Sequence, residues 1–216
     1  LKKNFKRLLV WDFGGTWSTT FHKLGINYEK VSGIFDLAKR LRGDTGDAII
    51  CYQPKAFGDG KREFDFFCGA GFMWIKHKAA GIVVEEAATV TSAGQANGNW
   101  QTLQCQAQKW GGAVFFIIQR PQEGDKTTLT QATDKYIFNV EDFEHEYVVK
   151  NFGISKELIP TEPLTYIHKD RKGRIFKGYI DFNGQPEKGG NPKNYKLVER
   201  EVVSKPLSLS GKPLNA

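Results

Sequence analysis

Several features that would assign the chain to a whole class of proteins are missing from the sequence. No apolar run is long enough to span a membrane, and the mean hydropathy is −0.45. The three cysteines (Cys51, Cys68 and Cys105) stand far apart and form no Cys-x-x-Cys pair, which disfavours a zinc site and a disulfide framework. The basic start LKKNFKR is not followed by the apolar segment of a secretory signal. We therefore expect reduced thiols and no membrane span.

Methionine is also scarce, since the only one is Met73. Because the sequence does not start with methionine, we expect residues upstream of Leu1. The 216 residues suffice for one good-sized domain with appendages. The formal net charge of +7 suits a polyanionic partner such as nucleic acid, although a merely basic surface gives the same value.

Short apolar runs rich in β-branched and aromatic side chains predict buried strands over 7–11, 48–52, 81–84 and 113–118, with a fifth over 135–140. Helices are predicted between and after them, over 33–42, 64–78, 100–110 and 142–152. Runs without polar alternation belong to strands that are covered on both faces. The sequence therefore predicts an α/β fold with a mostly parallel sheet between helices.

The pattern changes after Pro163. The segment TYIHKDRKGRIFKGYIDF alternates apolar and polar residues on either side of a charged turn, which predicts a β-hairpin. From Asn183 onward Gly, Pro, Asn and Lys dominate, which predicts an extended or partly disordered tail. We therefore predict an α/β core over 1–160, a hairpin appendage over 161–182 and a tail over 183–216.

Two adjacent carboxylates, Glu85 and Glu86, follow the apolar strand 81–84 directly. In an open α/β sheet the carboxyl ends of the strands face the ligand crevice. One carboxylate there can hold Mg²⁺, as Glu85 would, while the other, Glu86, activates the water that attacks a phosphoryl group. The alternative is that both residues simply begin a helix, where acidic side chains favour the dipole.

Polar residues also follow two other predicted strands. Gln119 and Arg120 come after 113–118, where they could bond the attacking water and stabilise transferred charge, or only begin a loop. Asp12, Gly14 and Gly15 follow 7–11 in a turn similar to a phosphate-binding loop, which makes them candidate nucleotide ligands. No lysine stands in that turn, and no Gly-Lys-Ser or Gly-Lys-Thr occurs in the chain, so no Walker A motif is present.

Six segments follow one another along the chain: RLLVWDFGGTW, FDLAKRL, GDAIICYQP, EFDFFC, GIVVEEA and WGGAVFFIIQRPQEGDKT. Their order resembles that of the viral genome-packaging branch of the FtsK–HerA superfamily, over roughly residues 7–155. The motif that supports this resemblance most strongly is Gln-Arg-Pro followed by Glu123, Asp125 and Lys126. The turn after Asp12 departs from the family because it lacks a lysine and a glutamate. Lys109 also departs, since relatives often carry an arginine there as a candidate trans-acting finger.

The resemblance implies a RecA-like P-loop ATPase that uses ATP and Mg²⁺ to translocate double- or single-stranded DNA and so to package a viral genome into its capsid. It implies Walker B roles for Glu85 and Glu86, a sensor role for Gln119, and a Walker A strand upstream of Leu1. That strand is expected between the Glu-Glu and Gln-Arg strands. The partners it implies are viral genomic DNA, capsid vertex or portal proteins, and other copies in a homo-oligomeric ring, expected to be a hexamer. The expected location is the host cytoplasm or the virion vertex.

Cations around the hairpin turn are candidate DNA contacts, although a turn is commonly charged for solubility alone; they are Lys169, Arg171, Lys172, Arg174 and Lys177. Two other functions stay open. One is a virion structural or DNA-binding protein on a degenerate ATPase fold, which the missing Walker A motif favours. The other is an unrelated nucleotide-binding α/β protein, which a different strand order would indicate.

Overall fold

The computed structural model describes residues 5–54, 60–91, 94, 96, 98–181 and 196–202. The chain divides into two compact units, residues 1–131 and 132–216. Within the described residues, no helix is both long and apolar enough to cross a membrane.

The first unit is built on a sheet of five parallel strands in the order β2-β3-β1-β4-β5. The strands are β1 (Leu8–Trp11), β2 (Glu29–Val31), β3 (Ile49–Tyr52), β4 (Gly81–Val84) and β5 (Ala113–Phe116). The helices are α1 (Thr16–Lys23), α2 (Ile34–Leu41), α3 (Gly60–His77), α4 (Ala87–Val90), α5 (Gly98–Gln106) and α6 (Lys126–Gln131). This confirms the predicted α/β class with a mostly parallel sheet.

Alternate residues of the central strand β1 face opposite layers of helices, as the pleat of a strand requires. Leu9 and Trp11 lie in the larger core with residues of α2, α3 and α5. Leu8 and Val10 lie in a smaller core with Phe21 of α1. All four residues of β1 are buried, so the apolar run marks a strand covered on both faces.

The strand order corrects one expectation. β4 and β5 pair directly, with Gly81 opposite Ala113 and Val84 opposite Phe116. No phosphate-loop strand can therefore lie between the Glu-Glu and Gln-Arg strands, and the expected flanking arrangement was wrong. Taken alone, this strand order favours the alternative of an unrelated nucleotide-binding α/β protein. Among the described residues, the free edges of the sheet are β2 and β5.

The second unit contains an antiparallel sheet in the order β6-β7-β8-β9. Its elements are β6 (Lys135–Ile137), α7 (His145–Phe152), β7 (Thr165–Lys169), β8 (Ile175–Asp181) and β9 (Lys196–Val202). β7 and β8 form the predicted hairpin, whose turn closes with a bond from the Asp170 amide to the Arg174 carbonyl (3.0 Å).

Two predicted boundaries differ from the structure. The segment 135–140 was expected in the core sheet, but its strand pairs with the hairpin, so the division between units lies at 131/132 rather than at 160. Within the predicted tail, β9 pairs along β8, because Leu197, Val198 and Val202 give that segment a strand-like apolar content. The remaining tail residues lie outside the described part.

Candidate functional site

The carboxyl ends of the strands of the parallel sheet place the candidate site residues side by side. Bonds between neighbouring strands continue one residue past the strand ends. The Asp12 amide donates to the Tyr52 carbonyl (2.9 Å), the Glu85 amide to Trp11 (3.2 Å) and the Ile117 amide to Val84 (2.9 Å). The segments that follow β1, β3, β4 and β5 therefore meet at one edge, which is where an open α/β sheet binds its ligand.

The turn after β1 is organised by the carboxylate of Asp12, which is completely buried. It accepts bonds from the amides of Trp17 (2.9 Å) and Ser18 (3.0 Å), and a carboxylate at this point stabilises the beginning of α1. Gly15, at φ +72°, takes the left-handed conformation that this turn requires. Two amides that a phosphate would use are thus already engaged. The assignment of Asp12, Gly14 and Gly15 to nucleotide binding stays a prediction without support from this geometry.

Glu85 lies half-buried between this turn and Glu86. Its carboxylate accepts bonds from the Thr16 hydroxyl and the Gly14 amide. The Oε2 atom is buried and has no hydrogen-bond partner among the described residues. Burial raises the pKa of Glu85, and the carboxylates of Asp12 and Glu86 raise that pKa further.

The unpaired Oε2 atom makes Glu85 a fitting cation ligand. Magnesium is commonly bound by one or two carboxylates together with water and substrate phosphates, so a cage of protein ligands is not required. Within the described residues, no group of three His, Cys, Asp or Glu side chains could hold a metal. A cation here would neutralise Glu85 and give Oε2 a partner.

Glu86 has an unusual backbone, with φ 50° and ψ 47°. This left-handed conformation is uncommon for a non-glycine residue and often marks a functional site. The short helix α4 begins after it, but the Glu86 side chain makes no capping bond. A helix thus begins directly after Glu86, as the alternative expects, but its first turn holds no acidic residue and the Glu86 side chain does not cap it.

Gln119 and Arg120 follow β5, next to the strand that carries the two glutamates. The Ala87 amide donates to the Ile117 carbonyl (3.1 Å), which joins the residue after Glu86 to the segment that leads to Gln119. Both side chains are exposed, and the Arg120 guanidinium contacts the Glu123 carboxylate (3.2 Å). The two residues are brought to the edge that carries the glutamates, but in this conformation Arg120 pairs with its own loop.

Two residues of the site were not predicted. Thr16 reaches Glu85, and Gln53, which follows β3, donates from Nε2 to the Ser18 hydroxyl (3.1 Å). The sequence did hold a signal for Gln53, since a polar residue after an apolar strand was the pattern that selected Gln119.

Lys109 lies in a 3-10 helix, Ala107–Trp110, immediately before β5. It is therefore at the amino-terminal edge of the parallel sheet, opposite to the edge of Glu85. Its side chain is exposed. Lys109 and Glu85 therefore do not share a site within one chain, and the role of Lys109 as a trans-acting finger stays a prediction.

The five cations proposed for DNA divide into two groups. The Lys169 ammonium donates to the Phe152 carbonyl (2.7 Å) at the end of α7, and the Arg174 guanidinium binds Asp170 (2.8 Å). These two side chains already have partners within the second unit. The other three are exposed and remain candidates for contacts with phosphate: Arg171, Lys172 and Lys177.

Comparisons with known proteins agree with this architecture. No protein-family model matches the chain. Protein P9 of Pseudoalteromonas phage PM2 is 35% identical over 135 residues, which cover 60% of this chain. The match spans 55% of the length of that relative.

Solved structures of the genome-packaging NTPase B204 from Sulfolobus turreted icosahedral virus 2 are also similar. The complex with AMPPCP matches with a TM-score of 0.61 and 14% identity, over 81% of this chain and 83% of B204. The complex with ATP-gammaS matches with a TM-score of 0.62 and 13% identity, over 81% and 82%. The chain therefore has the fold of a viral genome-packaging NTPase.

Proposed function

We propose that the protein is an ATPase that drives DNA into a viral capsid. The observation that carries this proposal is Glu85, a half-buried glutamate with an unpaired Oε2 atom beside Glu86, at the ligand-binding edge of a parallel sheet. The similarity to the genome-packaging NTPase B204, solved with AMPPCP and with ATP-gammaS, supports the same conclusion, and the similarity to P9 of a phage supports a viral source.

In this proposal Glu85 holds Mg²⁺, which would supply charge neutralisation at the phosphates of ATP. Glu86 orients the attacking water and takes its proton, and its left-handed backbone conformation sets the direction in which the side chain leaves the chain. Gln119 contacts the same water or the γ-phosphate from the neighbouring strand. Arg120 would leave Glu123 to stabilise the charge that develops on the transferred group.

In this proposal the residues that bind the phosphates of ATP lie outside the described segments, because Asp12 already engages the amides of Trp17 and Ser18 in the turn after β1. The free edge of β5 is a suitable place for a strand that carries it. β5 is entirely apolar, yet all four of its residues are partly exposed, whereas those of β4 are buried. A strand paired with β5 would cover this edge and end beside Gln119.

The proposed partners are viral genomic DNA, capsid vertex or portal proteins and further copies of the chain in a ring, which is expected to be hexameric. Arg171, Lys172 and Lys177 would contact the DNA backbone without reading its sequence. Lys109 would reach a neighbouring subunit's nucleotide. Such a protein acts in the host cytoplasm or at the virion vertex.

The decisive experiment compares ATP hydrolysis by the natural full-length protein and by its Glu86→Gln variant. We expect the variant to bind ATP with unchanged affinity and to lose turnover by about a hundredfold or more. Glu162→Gln, at an exposed position in the second unit, is the control and should hydrolyse ATP normally. An unchanged rate in Glu86→Gln would refute the proposal.

The same experiment distinguishes the proposed ATPase from the alternative of a structural virion protein on an ATPase fold. That alternative predicts no hydrolysis by the unaltered full-length protein, while binding to DNA or capsid would persist. A filter-binding assay on the same preparations measures the DNA binding.

A further inference from the structure

The segment after Gln119 and Arg120 ends in a buried carboxylate that the proposed chemistry does not use. Asp125 is only 1% exposed. Its Oδ2 atom accepts the indole N–H of Trp100 (2.9 Å), which lies on α5, and its Oδ1 atom accepts the Thr128 amide (2.7 Å). The Thr128 hydroxyl also bonds to Asp125. One carboxylate therefore joins the beginning of α6 to the interior face of α5.

Further bonds at the beginning of α6 reach the segment between α4 and α5. The Lys126 amide donates to the Gly94 carbonyl (2.9 Å), and the Ala96 amide donates to the Thr127 hydroxyl (3.0 Å). We call the described residues 85–91, 94 and 96, which follow β4, the glutamate segment, and residues 117–125, which follow β5, the glutamine segment. The beginning of α6 is bonded to both of them.

We propose that Asp125 is a positioning residue that holds the glutamine segment against α5 and the beginning of α6, which in turn bonds the glutamate segment at Gly94 and Ala96, so that the two segments are clamped together. The inference rests on the proposed function, in which Glu86 of one segment and Gln119 of the other act on the same water molecule. Asp125 contacts neither ATP nor the attacking water in this proposal. It acts by keeping Gln119 at a fixed distance from Glu86, so that both address the same water molecule.

The burial of Asp125 makes this clamp stiff. A carboxylate that accepts three hydrogen bonds away from water cannot exchange them for solvent without exposing the indole N–H of Trp100. Gln104 adds to the same cluster, since its Nε2 atom donates to the Thr128 hydroxyl (2.7 Å). These bonds hold the Asp125 end of the glutamine segment against α5.

Hydrogen exchange in the natural full-length protein tests the clamp without any assay of activity. In Asp125→Asn, the side chain keeps one acceptor oxygen, and its new NH2 group must face either the indole N–H of Trp100 or the amide of Thr128, so one of these two donors loses its partner. We expect exchange at the amides of Ala96 and Glu123 to rise about tenfold, because each loses the support of roughly one net hydrogen bond. The amide of Leu9 in the central strand is the reference and should not change.

Two further variants make the result specific. Trp100→Phe removes the indole donor and keeps the aromatic core, so it should raise exchange at Ala96 and Glu123 and leave Leu9 unchanged. It should also partly restore protection in the Asp125→Asn background, where the clash of two donors disappears. Asp65→Asn is the matched control, because Asp65 accepts the Asn99 amide (2.7 Å) on the same helix α5. We expect it to expose Asn99 and to leave Glu123 protected.

The clamp is refuted if Trp100→Phe leaves exchange at Ala96 and Glu123 unchanged, or if Leu9 exchanges faster to the same extent. Activity provides the second readout. We expect Asp125→Asn to lower kcat for ATP about tenfold with little change in KM, and the double variant to recover part of it. If the unaltered protein hydrolyses no ATP, the proposed function fails, while the exchange result still decides whether the clamp exists.

Discussion

We expect ionised Glu85 to lower the free energy of unfolding of the isolated protein at neutral pH. Its replacement by glutamine should therefore stabilise the fold. Burial and two neighbouring carboxylates raise the pKa of Glu85 above its ordinary value of 4.5. The folded state therefore keeps the proton to a higher pH than the unfolded state, and stability falls as pH rises between the two pKa values. Above the pKa of Glu85 in the folded state, the full loss in the free energy of unfolding is present. Below the ordinary value both states are protonated, and the cost is absent.

The cost at neutral pH is that of one buried acceptor without a partner, reduced because the carboxyl group is only half-buried. We expect Glu85→Gln to gain about 1 kcal/mol in the free energy of unfolding. For a chain of this size that gain corresponds to about 2–4 °C in Tm. Glutamine also removes the like-charge repulsion with the carboxylates of Asp12 and Glu86, which adds to the gain.

Thermal unfolding at about pH 7.5 and about pH 4, without Mg²⁺ or nucleotide, measures the effect. The Tm of Glu85→Gln should exceed that of the unaltered protein at the higher pH, and the difference should shrink at the lower pH. Glu162→Gln, at an exposed position, should change neither value. A Tm for Glu85→Gln that is equal or lower at neutral pH would refute the reasoning that Oε2 is buried without a partner.

Three further outcomes follow from the geometry. Glu86→Gly should stabilise the fold by about 0.5–1 kcal/mol in urea unfolding, because glycine takes the left-handed conformation freely, and a loss of stability would contradict the strain assigned to Glu86. Gly178→Ala should cost about 1–3 kcal/mol, since its Cβ would lie 2.5 Å from the ring of Tyr166, and an unchanged denaturation midpoint would show that the ring can move. Lys172→Ala should weaken DNA binding and lower the slope of log affinity against log salt concentration by about 1. Arg174→Ala should mainly lower stability, because the Arg174 guanidinium binds Asp170. Equal effects of the two variants on DNA affinity would contradict this division.

The sequence predicted those elements whose signal is local. The strands β1, β3, β4 and β5 are unbroken apolar runs, and such runs specify strands covered on both faces whatever their neighbours are. The helix α1 was not predicted, because its first turn depends on the carboxylate of Asp12 five residues earlier. Strand β6 was predicted, but its place in the second sheet depends on pairing with β7, which no local pattern reveals.

The candidate site was predictable for a similar reason. Glu85 and Glu86 end a parallel strand, and the carboxyl ends of parallel strands always share an edge. The contacts of Thr16 and Gln53 were not predictable, since they require β1 to lie between β3 and β4. The same strand order placed β5 beside β4 and overturned the expected position of a phosphate-loop strand.

The central position of β1 also has a consequence for synthesis on the ribosome. Both neighbours of β1 come much later in the chain, since β3 begins at Ile49 and β4 at Gly81. A nascent chain that has emerged only as far as α2 therefore presents the apolar segment LLVW with two unpaired edges. Until β4 has left the exit tunnel, this segment is a target for chaperones and for aggregation with other nascent copies, which makes slow synthesis costly for the yield of this protein.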